Sequence, residues 1–367
     1  MKILITGAKG FIGKNLVETL KTKDHELYLY DKESTEDELV GYLKSADFIY
    51  HLAGVNRPKD DKEFHEGNVT ILEKMIDILE KEHHIIPIML SSSIQATLDV
   101  PYGKSKKEAE DLLVDYAKKH QVDVYIYRFP NVFGKWSRPF YNSVVSTFCH
   151  QVAHGNSLEI HDKEKVLELL YIDDLVKDLL ECLNKKTNTS YYCEVKTTHK
   201  ITLQDLADTI LSFRTSRTSL DVPNMGDPLT KKLYATYLTY IDKDAFSYPL
   251  KMNKDHRGSF TEFLRTSSYG QVSVNISLPG ITKGNHWHHT KNEKFLVVSG
   301  KGAIRFRHIH SDEVIEYLVS GDKLEVVDIP PGYTHQIENL GSDKMVTIMW
   351  ANEAFDKDNP DTIFLEV

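Results

Sequence analysis

Tyr102 and Lys106 are the residues of this sequence best placed for proton-transfer chemistry, because they lie four positions apart at the start of a helical pattern. Side chains at positions i and i+4 of a helix share one face. A lysine ammonium beside a phenol favours the phenolate, so the pair predicts a lowered pKa for Tyr102. Such a tyrosine exchanges a proton with an alcohol or a ketone while a nicotinamide exchanges a hydride.

A glycine-rich turn at residues 7–13 separates an apolar pentapeptide from a helical pattern and predicts a dinucleotide site. Glycine lets the backbone approach a pyrophosphate, and the N–H groups at a helix start attract its charge. The candidate cofactor contacts in this turn are Gly7, Lys9, Gly10, Phe11, Ile12 and Gly13. Asp31 favours the ribose diol of NAD, whereas Lys9 or Lys32 can counter the 2′-phosphate of NADP, so the choice between the two stays open.

Three histidines and a glutamate in the last third of the chain have the residue types of a metal centre. His286 and His288 are two residues apart, so on a strand they point to the same side. Glu293 follows a turn, and His335 lies shortly after a Pro-Pro-Gly turn. Three imidazoles and one carboxylate suit Zn, Fe, Mn or Ni.

The two candidate sites require two different scaffolds. Up to residue 243, apolar strand-like runs such as residues 2–6 alternate with helical patterns such as residues 11–21 and 64–82, which predicts a parallel sheet covered on both faces. From residue 248 onward, short β-rich runs are separated by Gly, Pro, Asn and Asp turns, which is typical of an antiparallel sandwich or barrel. We therefore expect an α/β Rossmann domain over residues 1–243 and an all-β domain over residues 248–367.

The composition excludes several classes of partner. With 45 basic and 54 acidic residues the net charge is −9, which opposes binding to nucleic acid. No apolar run approaches the ~18 residues of a membrane span, and the first residues lack the pattern of a signal peptide. Cys149, Cys182 and Cys193 are too widely spaced for a disulfide framework or a CxxC site. We expect a cytoplasmic protein with no nucleic-acid partner and no membrane partner.

The N-terminal motifs resemble those of the extended short-chain dehydrogenase/reductases, which act mostly on nucleotide sugars. The likeness rests on the glycine turn, on Tyr102 with Lys106, and on segments 51–54 and 128–134. It implies that Tyr102 is the catalytic acid/base and that Lys106 bonds the nicotinamide ribose. It implies further that one serine of residues 91–93, Ser93 by register, polarises the substrate carbonyl. The remaining implied contacts are Leu52, Ala53 and Gly54 to the cofactor and Arg128 and Asn131 to the substrate.

The segments 280–300 and 330–339 resemble the two motifs of the cupin superfamily. This resemblance implies a jelly-roll fold and the metal ligands His286, His288, Glu293 and His335. Segment 254–262 is similar to dTDP-4-keto-6-deoxysugar 3,5-epimerases, which are also cupins.

In those epimerases the residues matching Arg257 and Glu262 contact the nucleotide sugar, and a histidine at the register of His286 is the base. One histidine cannot both bind a metal and abstract a proton. We assign His286 to the metal because three further ligands complete the set. The base stays open among His256, Glu262, Tyr333 and His289.

Over the whole chain, the combination resembles bacterial capsular polysaccharide enzymes in which an extended reductase is fused to a cupin. The resemblance implies a homodimer that uses NADPH and holds zinc in the cupin. It implies that the cupin epimerises C3 of a UDP-2-acetamido-2,6-dideoxy-4-hexulose, and that the reductase then reduces C4. The product would be UDP-2-acetamido-2,6-dideoxy-L-talose, a precursor of N-acetyl-L-fucosamine.

Two other functions stay open. In the first, the protein is only a reductase, and the cupin is a non-catalytic binding or dimerisation module. In the other, the protein is an NAD-dependent epimerase or dehydratase that recycles its cofactor internally. Net consumption of NADPH distinguishes this last function from the first two.

Overall fold

The computed structural model describes residues 1–58, 60–184, 190–250, 253–255, 258–260, 271–353, 358 and 360–367, with the backbone alone for 253–255, 258–260, 271 and 273. The predicted site residues His256, Arg257 and Glu262 lie outside the described residues. The chain divides into two compact units. The first comprises residues 1–133, 141–143 and 167–200, and the second comprises residues 134–140, 144–166 and 201–367. The domain boundary at residues 243–248 stays a prediction.

The helices precede the barrel in the chain. Their bounds are α1 (Phe11–Lys21), α2 (Glu36–Leu43), α3 (Lys62–His65), α4 (Ile71–Lys81), α5 (Pro101–His120), α6 (Val144–Ala153), α7 (Ile172–Glu181), α8 (Leu203–Ser219) and α9 (Pro228–Leu238). A π-helical turn spans Glu66–Thr70 between α3 and α4, so the single helix expected over residues 64–82 is interrupted. Among the described residues, no helix combines the length and the apolar character that crossing a bilayer requires.

A parallel sheet forms the first unit. The strands up to residue 202 are β1 (Lys2–Thr6), β2 (Glu26–Tyr30), β3 (Phe48–His51), β4 (Ile88–Ser93), β5 (Val124–Phe129), β6 (Asn131–Phe133), β7 (Val166–Tyr171), β8 (Tyr192–Cys193) and β9 (His199–Thr202). Strands β2, β1, β3, β4, β5 and β8 lie side by side in that order, and their pairings are parallel. This confirms the predicted Rossmann-type fold, in which strand carboxyl ends gather at one edge.

Apolar side chains on one face of this sheet pack against helices. Leu72, Met75 and Leu79 of α4 recur at three- and four-residue spacing and are fully buried against strand residues such as Leu4 and Ile88. At about 25 cal/mol per Å² of buried apolar surface, this stripe is a principal source of stability for the helix. The sheet and its helices thereby fix where β1, β3 and β4 end, which is where the candidate residues lie.

Two antiparallel sheets form the barrel of the second unit. The strands are β10 (Ser247–Pro249), β11 (Asn253–Asp255), β12 (Gly258–Phe260), β13 (Gln271–Ser277), β14 (Thr282–Trp287), β15 (Glu293–Ser299), β16 (Lys301–His308), β17 (Val314–Ser320), β18 (Glu325–Ile329), β19 (Tyr333–Asn339), β20 (Met345–Ala351) and β21 (Ile363–Phe364). One sheet has the order β10-β18-β15-β20-β13 and the other β17-β16-β19-β14-β21, whereas β11 and β12 form a separate two-stranded sheet. Side chains of both sheets, among them Phe295 and Phe306, form one buried core. This arrangement confirms the predicted jelly roll.

A buried ion pair in the second unit lies among residues that come from both sides of residue 243. Lys294 Nζ is 2.6 Å from Asp328 Oδ1, and both side chains are almost inaccessible to solvent. Arg217 of α8 lies 3.6 Å from Asp328 Oδ2 and stacks on Tyr248 at 4.5 Å. Lys294 also faces the ring of Tyr234 of α9 at 6.0 Å. Residues from α8 and α9 therefore complete the surroundings of a charge pair carried by barrel strands.

Candidate functional site

The predicted dinucleotide turn joins β1 to α1. Gly7 has φ +67°, and an ideal Cβ at this position would lie 2.8 Å from the backbone nitrogen of Ala53. Only glycine fits such a left-handed, closely packed position without strain. Gly10 is the residue before α1, so Phe11 and Ile12 begin the helix. The first N–H groups of a helix have no intrahelical acceptor, which suits them to a phosphate.

Asp31 lies directly after β2 and faces this turn. Its Oδ2 accepts the backbone N–H of Lys9 at 2.7 Å, and its Oδ1 accepts that of Lys32 at 2.8 Å. The Lys9 ammonium forms an exposed ion pair with Glu33. The hydrogen bond and charge of Glu33 raise the pKa of Lys9, which stays protonated. The structure thus brings Asp31 and Lys9 together at the turn, with Lys32 next to Asp31, and their contacts to a cofactor stay predictions.

Leu52, Ala53 and Gly54 follow β3 and extend the candidate cofactor surface. The backbone N–H of Ala53 donates to Thr6 Oγ1 at 3.2 Å. An ideal Cβ on Gly54 would lie 3.1 Å from Lys106 Nζ, so this segment connects the glycine turn with the Tyr102–Lys106 pair. His51 is fully buried against Thr6 at 2.8 Å. Burial lowers the pKa of His51 to about 3, so it is a neutral, structural residue.

The structure gives the three serines at the end of β4 three different partners. The backbone oxygen of Ser91 accepts a hydrogen bond from Lys106 Nζ at 3.0 Å. The Ser92 hydroxyl donates to Glu110 Oε1 at 2.5 Å. The Ser93 hydroxyl accepts the backbone N–H of Gln95 at 3.2 Å and acts to lower the pKa of the nearby Tyr102 phenol. Of the three, Ser93 is therefore the one that shares a site with Tyr102, and its catalytic role stays a prediction.

Burial dominates the titration of the Tyr102–Lys106 pair. Burial raises the pKa of Tyr102, and the nearby Ser93 side chain opposes that rise only in part. The expectation that Lys106 lowers this pKa is wrong, because Lys106 Nζ is turned to Ser91 and lies 6.0 Å from the centre of the Tyr102 ring. Burial lowers the pKa of Lys106 itself to about 8, against the charge of Glu110. Tyr102 is consequently a proton donor near neutral pH.

Arg128 lies on β5 and is bonded to a glutamate that sequence reasoning missed. Its Nε and a terminal nitrogen donate to the two carboxylate oxygens of Glu110 at 2.8 and 2.5 Å. Its guanidinium stacks on Tyr192 at 4.7 Å, and the Tyr192 hydroxyl donates to Glu110 at 3.2 Å. Glu110 is fully buried and lies four residues after Lys106, a helical spacing that was the available signal. Asn131 donates to the backbone oxygen of Glu168 at 3.1 Å. The substrate contacts of Arg128 and Asn131 stay predictions.

The four predicted metal ligands meet inside the barrel. One ligand atom from each of His286, His288, Glu293 and His335 lies within 4.8 Å of the other three. His286 comes from β14, His288 is the residue just after it, Glu293 comes from the start of β15 and His335 from β19. The imidazole rings of His286 and His335 are 4.6 Å apart between centroids, and those of His286 and His288 are 4.9 Å apart. Two sheets therefore contribute to one cluster.

The chemistry of this cluster fits a cation. Glu293 Oε2 lies 3.6 Å from Nε2 of His288 and 3.3 Å from Nε2 of His335, yet neither nitrogen has a hydrogen-bond partner among the described residues. Burial acts to raise the pKa of Glu293, and the two histidines outweigh it and hold that pKa below its ordinary range. Burial lowers the pKa of His286 to about 4. Neutral imidazoles around an ionised carboxylate are the states in which these groups bind metals.

Two of the candidate epimerase bases lie within the described residues. Tyr333 begins β19, two residues before His335, and its ring packs on Phe246 at 5.3 Å and His308 at 5.1 Å. His289 follows His288, and its ring lies 4.5 Å from that of Trp287. The structure does not favour one of these two over the other as a base.

Two family models match the chain and correspond to its two parts. The NAD dependent epimerase/dehydratase family matches residues 3–192. The polysaccharide biosynthesis C-terminal domain matches residues 253–363. The first match contains the glycine turn and Tyr102, and the second contains the four predicted metal ligands.

Similar proteins extend over the whole chain. A UDP-2-acetamido-2,6-beta-L-arabino-hexul-4-ose reductase of Pseudomonas aeruginosa is 42% identical over 363 residues, covering 99% of this chain and 98% of that protein. The crystal structure of the capsular polysaccharide assembling protein CapF of Staphylococcus aureus is 55% identical and covers 100% of both chains with a TM-score of 0.69. A UDP-N-acetylglucosamine 4-epimerase of Bacillus cereus, 23% identical over 59% of the chain with a TM-score of 0.52, shares the fold of the N-terminal part. The chain therefore belongs to the NAD dependent epimerase/dehydratase family and, over its full length, to the CapF-type proteins that join this domain to a polysaccharide biosynthesis C-terminal domain.

Proposed function

We propose that the protein is a bifunctional nucleotide-sugar enzyme of capsular polysaccharide synthesis. Its barrel inverts C3 of a UDP-2-acetamido-2,6-dideoxy-4-hexulose, and its N-terminal domain reduces C4 with NADPH. The product is UDP-2-acetamido-2,6-dideoxy-L-talose, a precursor of UDP-N-acetyl-L-fucosamine. The observation that carries the proposal is the Tyr102 phenol beside Ser93 and Lys106, next to the glycine turn. The name of the Pseudomonas reductase supports the choice of a UDP-linked 4-ketose.

The chemistry sets the order of the two reactions. A ketone at C4 acidifies the hydrogen on C3, because the enolate delocalises the charge that deprotonation leaves. Reduction at C4 removes that acidity and leaves the stereochemistry at C3 unchanged afterwards. Epimerisation must therefore come first.

In the reduction, NADPH supplies a hydride to C4. The Ser93 hydroxyl holds the carbonyl oxygen, and Tyr102 donates the proton that the resulting alkoxide requires. The raised pKa of Tyr102 keeps the phenol in this donor form. Lys106 is the proposed contact to the nicotinamide ribose, and its Nζ lies 6.0 Å from the centre of the Tyr102 ring.

In the barrel, His286, His288, Glu293 and His335 would hold a zinc ion, which provides Lewis-acid stabilisation for an enolate oxygen. The proton at C3 must move to and from a side chain of the barrel. The candidates are Tyr333 and His289, together with His256 and Glu262 outside the described residues. Arg257 remains the proposed contact to the nucleotide sugar.

The test uses a UDP-4-keto-6-deoxy-N-acetylhexosamine and NADPH in deuterated water, with absorbance and NMR as readouts. We expect NADPH loss, deuterium at C3 and inverted configuration at C3. Tyr102→Phe removes the proton donor, so we expect reduction to fall at least about a hundredfold while exchange at C3 continues. Tyr116→Phe is the matched control, because Tyr116 is a second buried phenol on α5 that bonds the backbone of Ile86.

Other results point to the other functions. NADPH loss with no deuterium at C3 would make the barrel a binding or dimerisation module of a reductase. Conversion of the sugar with no net loss of NADPH would indicate an internally recycling epimerase. Replacing NADPH by NADH decides which nicotinamide the turn around Asp31 prefers.

A further inference from the structure

The segment of residues 361–367, here called the strap, lies along β14, the strand that contains His286 and ends just before His288. Within it, β21 pairs antiparallel with β14, opposing Phe364 to His286 and Ile363 to Trp287. Strand β14 therefore has β19 on one side and the strap on the other. This arrangement has no local signal in the sequence, because Asp361 is 73 residues from His288.

The Asp361 carboxylate anchors the loop between ligands His288 and Glu293. Its two oxygens accept the backbone N–H groups of His289, Thr290 and Lys291, each at 2.7 Å. The Thr290 hydroxyl adds a fourth hydrogen bond at 2.9 Å. A carboxylate that accepts four donors fixes the loop more firmly than neutral side chains can, because charge-assisted bonds are stronger.

The backbone oxygen of Asp361 sets the tautomer of His288. This oxygen is hydrogen-bonded to Nδ1 of the imidazole. A carbonyl only accepts hydrogen bonds, so the proton of a neutral His288 must be on Nδ1. Its Nε2 then presents a lone pair to the ligand cluster, where Nε2 has no hydrogen-bond partner among the described residues. A second hydrogen bond of this kind is what orients most metal-binding histidines.

Two further bonds attach the strap beside the other histidine ligands. The backbone N–H of Leu365 donates to the backbone oxygen of Asn285 at 3.0 Å, next to His286. The Thr334 hydroxyl, next to His335, is hydrogen-bonded to the backbone oxygen of Leu365. The strap therefore touches the neighbours of every histidine in the cluster.

We propose that the strap is a clamp for the metal centre and that Asp361 is its positioning residue. It holds the His288 tautomer and the loop that leads to Glu293, so that the ligands are arranged before the cation binds. This inference rests on the proposed metal centre and goes beyond it, because it assigns metal affinity to a residue that is not a ligand.

The test measures zinc binding to metal-free, full-length protein by competition with a colorimetric chelator. We expect Asp361→Ala and Asp361→Asn to raise the dissociation constant for zinc about 10- to 100-fold. Thr290→Val removes one of the four donors and should cost a few-fold. Asp312→Asn, an exposed carboxylate in the turn between β16 and β17, is the matched control and should bind zinc like the wild type.

Cobalt in place of zinc adds a readout that a general loss of stability would not move. We expect the visible absorption of cobalt-loaded Asp361→Asn to differ in shape from that of the wild type, because the ligand geometry changes. Folded Asp361 variants with the zinc affinity and the cobalt spectrum of the wild type would contradict the proposed role of the strap. The proposed metal centre would be unaffected by that result. A wild-type protein that binds no zinc would overturn both.

Discussion

At the scale of single residues, the titration of the buried Lys106 should determine the pH dependence of reduction. Burial lowers the pKa of Lys106 to about 8, whereas Tyr102 has a raised pKa and stays protonated. Loss of the proton from Lys106 removes the charged donor that we propose for the nicotinamide ribose. We therefore expect kcat/KM for reduction to fall as the pH rises through about 8, measured as NADPH consumption from pH 6 to pH 10.

The charge of Glu110 raises the pKa of Lys106. A change at Glu110 should therefore shift the pH at which kcat/KM for reduction falls. Glu110→Gln removes the charge, so the fall should begin at a lower pH. Glu108→Gln is the control, because Glu108 is an exposed residue of the same helix that pairs with His65. A Glu110→Gln profile that coincides with the wild type would contradict this electrostatic role.

At the scale of elements, one carboxylate connects α5 to three strands of the parallel sheet. Glu110 bonds Ser92 of β4, Arg128 of β5 and Tyr192 of β8. Removing one partner of a buried ion pair leaves an uncompensated charge, so Glu110→Ala should lower the free energy of unfolding by about 3 to 5 kcal/mol. Ser92→Ala removes a single hydrogen bond and should cost about 1 to 3 kcal/mol. Urea unfolding measures both, and equal small losses would show that the network contributes little.

Elements with a local signal were predictable from the sequence. The bounds predicted for β1 and α1 agree with the structure, because the glycine turn between them interrupts one periodicity and starts another. The helix expected over residues 64–82 is broken by the π-helical turn, whose Asn68 donates to Ser105 at 3.0 Å and to the backbone of Val55. This break follows from a tertiary contact with α5, which periodicity does not contain.

The candidate sites were predictable in their residue types and less so in their partners. The metal ligands could be found because each is a rare residue type in a spaced motif. The different partners of Ser91, Ser92 and Ser93 depend on the rotation of β4 against α5. Three consecutive serines in a sequence do not reveal this rotation. Asp361 was missed because its partners are backbone groups, which every sequence offers everywhere.

At the scale of the whole molecule, the barrel has an exposed apolar stripe that supports the proposed homodimer. Val272, Val274 and Ile276 alternate along β13, the end strand of its sheet in the described order, and each is more than half exposed. An apolar edge strand of this kind favours pairing with another chain. We expect light scattering to give about twice the chain mass of 42.1 kDa. Val274→Glu should reduce it toward one chain, whereas Leu318→Glu, on an exposed position of β17 in the other sheet, should not.

The buried Lys294–Asp328 pair limits how far the barrel can be treated as a module. A fragment that begins at residue 248 keeps the pair but lacks Arg217 and Tyr234, which face it from α8 and α9. The fragment would expose a charge pair and an apolar surface that the intact chain keeps from water. A protease that cuts at residues 242–249 would for the same reason release no stable barrel. Joining such a barrel to another reductase would thus require transplanting the two helices with it.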